Sequence, residues 1–409
     1  MGFISYLKTD RGKINGFSAI LAGFSAMFCF MGYELIRSSS ESIFLSYFSA
    51  LDKVYALALT PFFLIFLIYL YGFSLSKIGS KKTMIIYFFL VISVELLFYS
   101  NLHYKKPMIS FFLLIFKEGY VVVISELYWS YINSILKSEE AKIINGPVAG
   151  LGALGSLMGG YFVSKLAKAL STEKMILYSA FTLIPAVFIL IRAYNISGEP
   201  RANKDEEGGK KGHIHLSILL ENRTVLFIAF IVFLAQIVST LSDINFTYHL
   251  QNSISDKDIR TAYLGSFWNR VNIISFSMQF LITPLVLKRF KIKYVLIFIP
   301  LLHLFTSLYS FIFPSLFSAG LVFMIFKSMD YSIYKASKEI LYIPFSYDTK
   351  YRVKQIVDSF TYRFSKGFIS ILMSVLNIVS FSYFKIIIPF IMLVSLIWSY
   401  IASRIETKE

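Results

Sequence analysis

The chain has 409 residues, of which 56% are hydrophobic and 18% aromatic, and its mean hydropathy of +0.65 argues against a water-soluble globular fold. The formal net charge is +16, from 40 Lys and Arg against 24 Asp and Glu, but most of the surplus falls in short loops between apolar runs, where cations set topology and do not signal nucleic-acid binding. Cys29, the single cysteine, excludes an intramolecular disulfide and a thiolate metal cage.

Apolar runs of the roughly 20 residues needed to cross a bilayer recur along almost the whole chain. Hydropathy predicts helices over residues 16–36, 54–73, 83–100, 107–136, 146–167 and 174–194. A second set follows over 224–245, 262–286, 293–312, 315–343, 356–380 and 384–403. The first run is too long for a signal-peptide core and lacks a small-residue cleavage pattern, so it is expected to stay as a helix. Tyr6 stands where a myristoylation signal needs Ser or Thr. Between the sets, Asn195 to Asn222 is polar and glycine-rich and has too little apolar surface to fold alone. The expectation is an all-α membrane protein of about twelve transmembrane helices in two six-helix bundles, residues 1–194 and 223–409, joined by a cytoplasmic linker over 195–222.

Cations cluster at Lys8, Arg11 and Lys13, at Lys77, Lys81 and Lys82, at Lys137 and Lys142, in the central linker, at Lys288 to Lys293, and at Lys350 to Lys354. Every one of these is an even-side loop, and Lys105, Lys106, Lys165 and Lys168 are the exceptions on the opposite side. Both termini are therefore expected in the cytoplasm of a cell whose inner membrane holds the chain; the sequence leaves the oligomeric state open, with a monomer as the working expectation. The halves also read as a parallel repeat: Phe116-Lys117 falls on Phe326-Lys327, and Glu140-Ala141-Lys142 falls on Lys350-Tyr351-Arg352. Such a repeat relates the two halves of major-facilitator carriers. The loop from Gly72 through Lys77 and Gly79 to Lys81 and Lys82 resembles the gating-loop motif of that superfamily, with Ser76 in place of the motif's Asp.

Ionisable groups inside apolar runs are costly unless they meet a partner or a wet cavity, and each is a functional candidate. Helix 1 and its outer end carry Glu34, Arg37 and Glu41, and helix 4 carries Lys117, Glu118 and Glu126. Arg270 lies in helix 8; Lys327, Asp330, Lys335, Lys338 and Glu339 lie in helix 10; Asp358, Arg363 and Lys366 lie in helix 11. Spacings of three, four and eight in helix 10 place its charges on one α-helical face, expected to line a polar channel. Cations slightly outnumber anions here, which fits a solute bearing phosphate or carboxylate.

The segment Lys338-Glu339-Ile-Leu-Tyr-Ile-Pro344, followed by Lys350, Arg352, Lys354, Asp358, Arg363, Lys366 and Gly367, resembles the ATP/ADP translocase family of bacteria and plastids. Tyr128-Trp129-Ser-Tyr131-Ile-Asn133, Glu140-Ala141-Lys142, and the run from Asp243 through Ala262 to Phe267 are similar to further stretches of that family. The resemblance implies a divergent major-facilitator-like nucleotide exchanger. Lys338 is kept and Asp243 stands where the family has Glu. After Arg37 the family's Lys-Asp pair becomes Ser40-Glu41, its helix-4 Glu falls on Lys117 beside Glu118, and Asp330 and Lys335 exchange the family's charges.

The candidate substrate-binding set is thus Arg37, Glu41, Lys117, Glu118, Asp243, Lys338, Arg363 and Lys366, with Trp129 and Tyr128 as candidates for stacking on a nucleobase. His213 and His215 lack carboxylate or thiolate partners, so no metal is assigned and no cofactor is expected. No Gly-x-x-x-x-Gly-Lys-Ser/Thr segment is present, so ATP would be cargo and not fuel. No catalytic constellation argues for an enzyme. Alternatives are a carrier of another organic or phosphorylated anion, or a non-transporting scaffold or sensor whose charges are locked in internal pairs.

Overall fold

A computed structural model of the chain describes residues 3–199, 223–342, 361–379 and 384–405, together with Val357. The linker beyond Glu199 with His213 and His215, and the basic segment containing Pro344, Lys350, Arg352, Lys354 and Asp358, lie outside the described residues. The described residues form no strand. A short helix, Phe3–Leu7, precedes eleven helices long and apolar enough to cross a membrane. These are α1 (Gly12–Phe44), α2 (Ala50–Ile78), α3 (Ser80–Tyr104), α4 (Pro107–Ile135), α5 (Glu139–Leu170), α6 (Thr172–Ser197), α7 (Thr224–Ser253), α8 (Lys257–Arg289), α9 (Ile292–Ile312) and α10 (Leu316–Leu341). The shorter α11 (Tyr362–Ile378) and then α12 (Phe384–Ser403), the last of the eleven, complete the order.

All twelve predicted helices are present, with ends that move where polar residues stay helical. The α1 helix runs to Phe44 instead of stopping near Ile36, through Arg37-Ser-Ser-Ser-Glu41-Ser42. Hydropathy falls in this stretch, yet its side chains are buried, and Ser39 and Ser40 donate back to the carbonyls of Leu35 (2.7 Å) and Arg37 (3.2 Å). Serine can satisfy its hydroxyl on the preceding turn, so a polar run continues a buried helix. The extension of α7 to Ser253 follows the same pattern of buried polar residues, including Ser242, Asn245 and Thr247.

The helices group into two units. The described part of the first comprises residues 3–48, 62–199 and 256–270; that of the second comprises 49–61, 223–255 and 271–405. The division therefore departs from a simple six-plus-six cut, because the first turns of α2 belong with α7 and the first half of α8 belongs with α1, α5 and α6. In the first unit α1 is central, packed on α4, α5 and α6, and α3 packs on α6. In the second, α7 packs on α10, α11 and α12, and α9 packs on α12. The two packing schemes are the same under exchange of α1–α6 for α7–α12, as the parallel repeat predicts. The first core is built around Phe88, Tyr120, Tyr131, Leu183 and Tyr194, the second around Ile228, Leu296, Phe326, Ile391 and Trp398. On α2, Phe62, Ile65, Phe66 and Tyr69 form an exposed apolar stripe, which in a membrane protein is the lipid face.

Close approach of α5 to α1 depends on glycine. A β-carbon on Gly155 would stand 2.0 Å from the Met27 carbonyl oxygen, and one on Gly159 would stand 2.5 Å from that of Met31. Small residues at such a spacing let helix backbones touch in lipid. Gly150, on the same helix, has nothing within 4 Å of its missing β-carbon. Gly155→Ala is predicted to lower stability by about 1–3 kcal/mol through overpacking, whereas Gly150→Ala should be neutral or raise it by up to about 1 kcal/mol. Thermal unfolding of the two detergent-purified variants, side by side, checks the contrast.

Candidate functional site

The first unit gathers five charged residues from α1 and α4. Arg37 is 9% exposed; its guanidinium lies 3.5 Å from Glu34 Oε1, 3.1 Å from the Trp268 ring centroid and 5.5 Å from that of Tyr33. One turn along α1, Glu41 accepts a hydrogen bond from Lys117 Nζ at 3.2 Å, and Glu118 Oε1 approaches the same ammonium at 4.0 Å. The i, i+3 and i, i+4 relations of Glu34, Arg37 and Glu41 put all three on one face of α1, from which Glu41 reaches Lys117 of α4 and Arg37 reaches Trp268 of α8. Here the cations have carboxylates within reach. Planar stacking on Trp268 uses the delocalised face of Arg37 while leaving its edge for hydrogen bonds.

The second unit pairs one of its buried cations with a carboxylate and holds another on a hydroxyl. Asp243 on α7 pairs with Lys53, from the first turn of α2, at 2.9 Å, and Lys53 also donates to Thr247 at 3.1 Å. Lys327 on α10 is 6% exposed and donates to Ser239 on α7 at 3.0 Å. Its ammonium lies 5.7 Å from the centroid of Phe323, 5.6 Å from Phe326 and 5.7 Å from Tyr331. Lys338 and Glu339 are half-buried and Lys335 is exposed. The single α-helical face expected for this series is interrupted by a π turn at Asp330–Tyr334. Each hydrogen bond of that turn spans five residues instead of four, which rotates everything beyond it relative to Lys327. A second π turn, Met278–Ile282 in α8, packs on it, with Ser332 Oγ 3.8 Å from Met278 Sδ.

Of the remaining candidates, Lys366 is half-buried on α11, and Arg363 lies on the same helix with its side chain outside the described residues. Tyr128 is buried in the first core, edge-on to Phe30 at 5.9 Å and 5.0 Å from Trp129, an arrangement that serves packing. In the loop between α2 and α3, Lys77 lies over Phe73. Gly79 adopts φ +81°, a left-handed conformation that favours glycine. A β-carbon there would meet Glu199 Oε1 at 2.6 Å. Lys81 bonds through its backbone N–H to Glu199 Oε1 (3.1 Å) and through Nζ to Asn195 (2.7 Å), tying the loop to the end of α6. Gly72 and Lys82 make no contact of this kind among the described residues. Ser76, in the motif's acidic position, bonds to the Phe73 carbonyl of its own helix.

Sequence reasoning passed over Trp268, Lys53 and Arg260. Lys53 and Arg260 are each one turn into their helix, α2 and α8, and each is 2% exposed. Arg260 Nη2 donates to the Ser42 carbonyl at 2.7 Å and to Ser46 Oγ at 3.1 Å, which joins α8 to α1 as Lys53 joins α2 to α7. Beside it, Asp258 accepts from Thr172 N–H at 2.8 Å and caps α6, and Lys257 pairs with Glu173. The signal was present in the repeat, since the two cations hold equivalent places, but both sit at the rim of an apolar run where charge is ordinary.

Lys117 and Glu41 are both buried, so truncating one partner leaves the other's charge in a low-dielectric site. Lys117→Met is predicted to destabilise by about 3–5 kcal/mol, and Lys117→Met/Glu41→Gln to recover most of that loss. Denaturant unfolding of the two single variants and the double variant in detergent checks this; additive losses would contradict the pairing.

Residues 315–408, which span α10 to α12, match the family model described as TLC ATP/ADP transporter. No curated protein matches the chain by sequence. Among solved structures, a mutant of the nucleoside transporter NupG superposes with a TM-score of 0.71 at 13% identity, covering 95% of this chain and 100% of that one. An auto-inhibited POT-family peptide transporter gives 0.69 at 11% identity, over 95% and 97% of the two chains. The inward open xylose transporter XylE from E. coli gives 0.60 at 15% identity, over 93% and 94%. At these identities the likeness is one of fold. The chain thus has the all-helical fold of these transporters, with eleven described helices long and apolar enough to cross a membrane, and its C-terminal segment is similar to the TLC ATP/ADP transporters.

Proposed function

We propose that the chain is a secondary carrier that moves a small anionic solute, of which a nucleotide of the ATP/ADP class is the first candidate, by alternating access in the cell's inner membrane. The observation that carries this reading is the family match over residues 315–408, which includes Lys338, Glu339, Arg363 and Lys366. Buried cations in both units add to it: Arg37 and Lys117 in the first, Lys53 and Lys327 in the second. Arg37, Glu41, Lys117, Glu118, Asp243, Lys338, Arg363 and Lys366 remain the proposed solute contacts, with residues 1–194 and 223–409 as the two bundles, 195–222 as linker, and both termini cytoplasmic. The solute's negative groups would replace internal carboxylates as partners of the cations, so binding and ion-pair exchange are the same event.

A second reading has its own observation. In the first unit Arg37 and Lys117 each have a carboxylate within 4.0 Å, as a locked, non-transporting scaffold would have. Uptake by proteoliposomes distinguishes the two. The carrier reading predicts saturable uptake of labelled ADP or ATP that is competed by other phosphorylated anions and much less by the uncharged nucleoside. Lys338→Ala, in protein shown to be folded, is predicted to lower that uptake at least about tenfold, as expected for loss of a charge-assisted contact. No saturable uptake of any anion by folded wild-type protein would support the scaffold instead.

A further inference from the structure

The repeat sets Lys117 and Lys327 at equivalent places on α4 and α10, and both side chains are buried, 7% and 6% exposed. Their surroundings differ in one respect. Lys117 has Glu41 at 3.2 Å and is followed in sequence by Glu118; Lys327 is followed by Ser328, and among the described residues no carboxylate lies within 4.0 Å of its ammonium. Asp330, one turn along α10, makes no ion pair with it, and Asp243 on α7 is engaged by Lys53. What Lys327 has instead is one hydroxyl, Ser239, and the faces of Phe323, Phe326 and Tyr331.

An ammonium has three donors, and the described residues use one of Lys327's. Ring quadrupoles attract a cation weakly and supply no counter-charge. A buried, hydrogen-bonded cation without a carboxylate is therefore under-compensated, while its repeat partner is fully compensated by side chains. On α7, Gln236 lies one turn before Ser239, on the same face, and its buried amide oxygen has no hydrogen-bond partner among the described residues. Turned over, that amide would present N–H donors toward an anion.

We propose that Lys327, with Ser239 beside it, is an oxyanion-binding residue of the carrier: it receives a phosphate or carboxylate oxygen of the solute as the counter-charge that α10 and α7 do not provide. The proposal rests on the reading of the chain as an anion carrier, and it gives the two bundles unequal parts. The first holds Arg37 and Lys117 on internal carboxylates; the second holds Lys53 on Asp243 and leaves Lys327 for the cargo. Lysine suits this use, because a flexible point charge accepts oxyanions of different shape without demanding a bidentate fit.

The test uses the full chain in detergent, with the unfolding temperature measured against added ADP, inorganic phosphate and citrate. Wild-type protein is expected to be stabilised in a saturable manner, and which of the three acts at the lowest concentration tells phosphate from carboxylate. Lys327→Gln is expected to raise the half-saturating concentration at least tenfold, and Lys327→Arg to retain most of the response. Ser239→Asp supplies an internal counter-charge; it is expected to raise the unfolding temperature without added anion and to abolish the further rise on adding one. If the wild type responds and Ser239→Asp or Lys327→Gln responds equally, Lys327 is a packing residue and the carrier reading stands. If none of the three anions stabilises the wild type, the anion reading falls and this assignment with it.

Discussion

Inside a bilayer an ionised side chain must find its counter-charge in the protein or in what the protein carries, because no water is at hand to screen it. That constraint organises this molecule more than any single packing contact. It aligns Glu34, Arg37 and Glu41 on one face of α1, brings Lys117 to Glu41, lays Arg37 on Trp268, and holds Asp243 against Lys53. Ser39 and Ser40 of α1 obey the neutral form of the same rule by returning their hydroxyls to backbone carbonyls. Lys327 has no carboxylate within reach among the described residues, and on that ground we propose that a ligand supplies its counter-charge.

The helices were legible in the sequence because hydrophobic length is a one-dimensional property, and lipid enforces it strongly. All twelve apolar runs became helices. Errors at the ends of α1 and α7 came from treating polarity as a helix stop, when buried polar residues continue both helices and some, such as Ser39, Ser40 and Thr240, bond to the preceding turn. The site was less legible. Spacing along one helix found Arg37 with Glu41 and Lys117 with Glu118, but it could not find Trp268 or Lys53, whose contacts join residues far apart in the chain. The face expected along α10 failed for a different reason: the π turn from Asp330 to Tyr334 changes the period that the face was counted on. Nothing in the residues Asp-Tyr-Ser-Ile-Tyr announces such a turn.

Fold and cargo rest on different grounds. The two units repeat one packing scheme, and the likeness to transporters of nucleosides, peptides and sugars shows how many solutes this architecture serves. The choice of anion comes from the charges and from the match over α10 to α12. Asp330 and Lys335 depart from the pattern that the sequence resemblance implies, so the solute it suggests is a starting point for experiment.

Transport by exchange is the property that a scaffold or sensor with the same pairs lacks. Proteoliposomes loaded with unlabelled ADP, or left empty, and then given labelled ATP or ADP outside, test it most directly. Faster, saturable uptake into the loaded vesicles is the result predicted for a nucleotide exchanger built on these charges. Equal and non-saturable uptake into loaded and empty vesicles, for nucleotides and for the other phosphorylated anions alike, would contradict it.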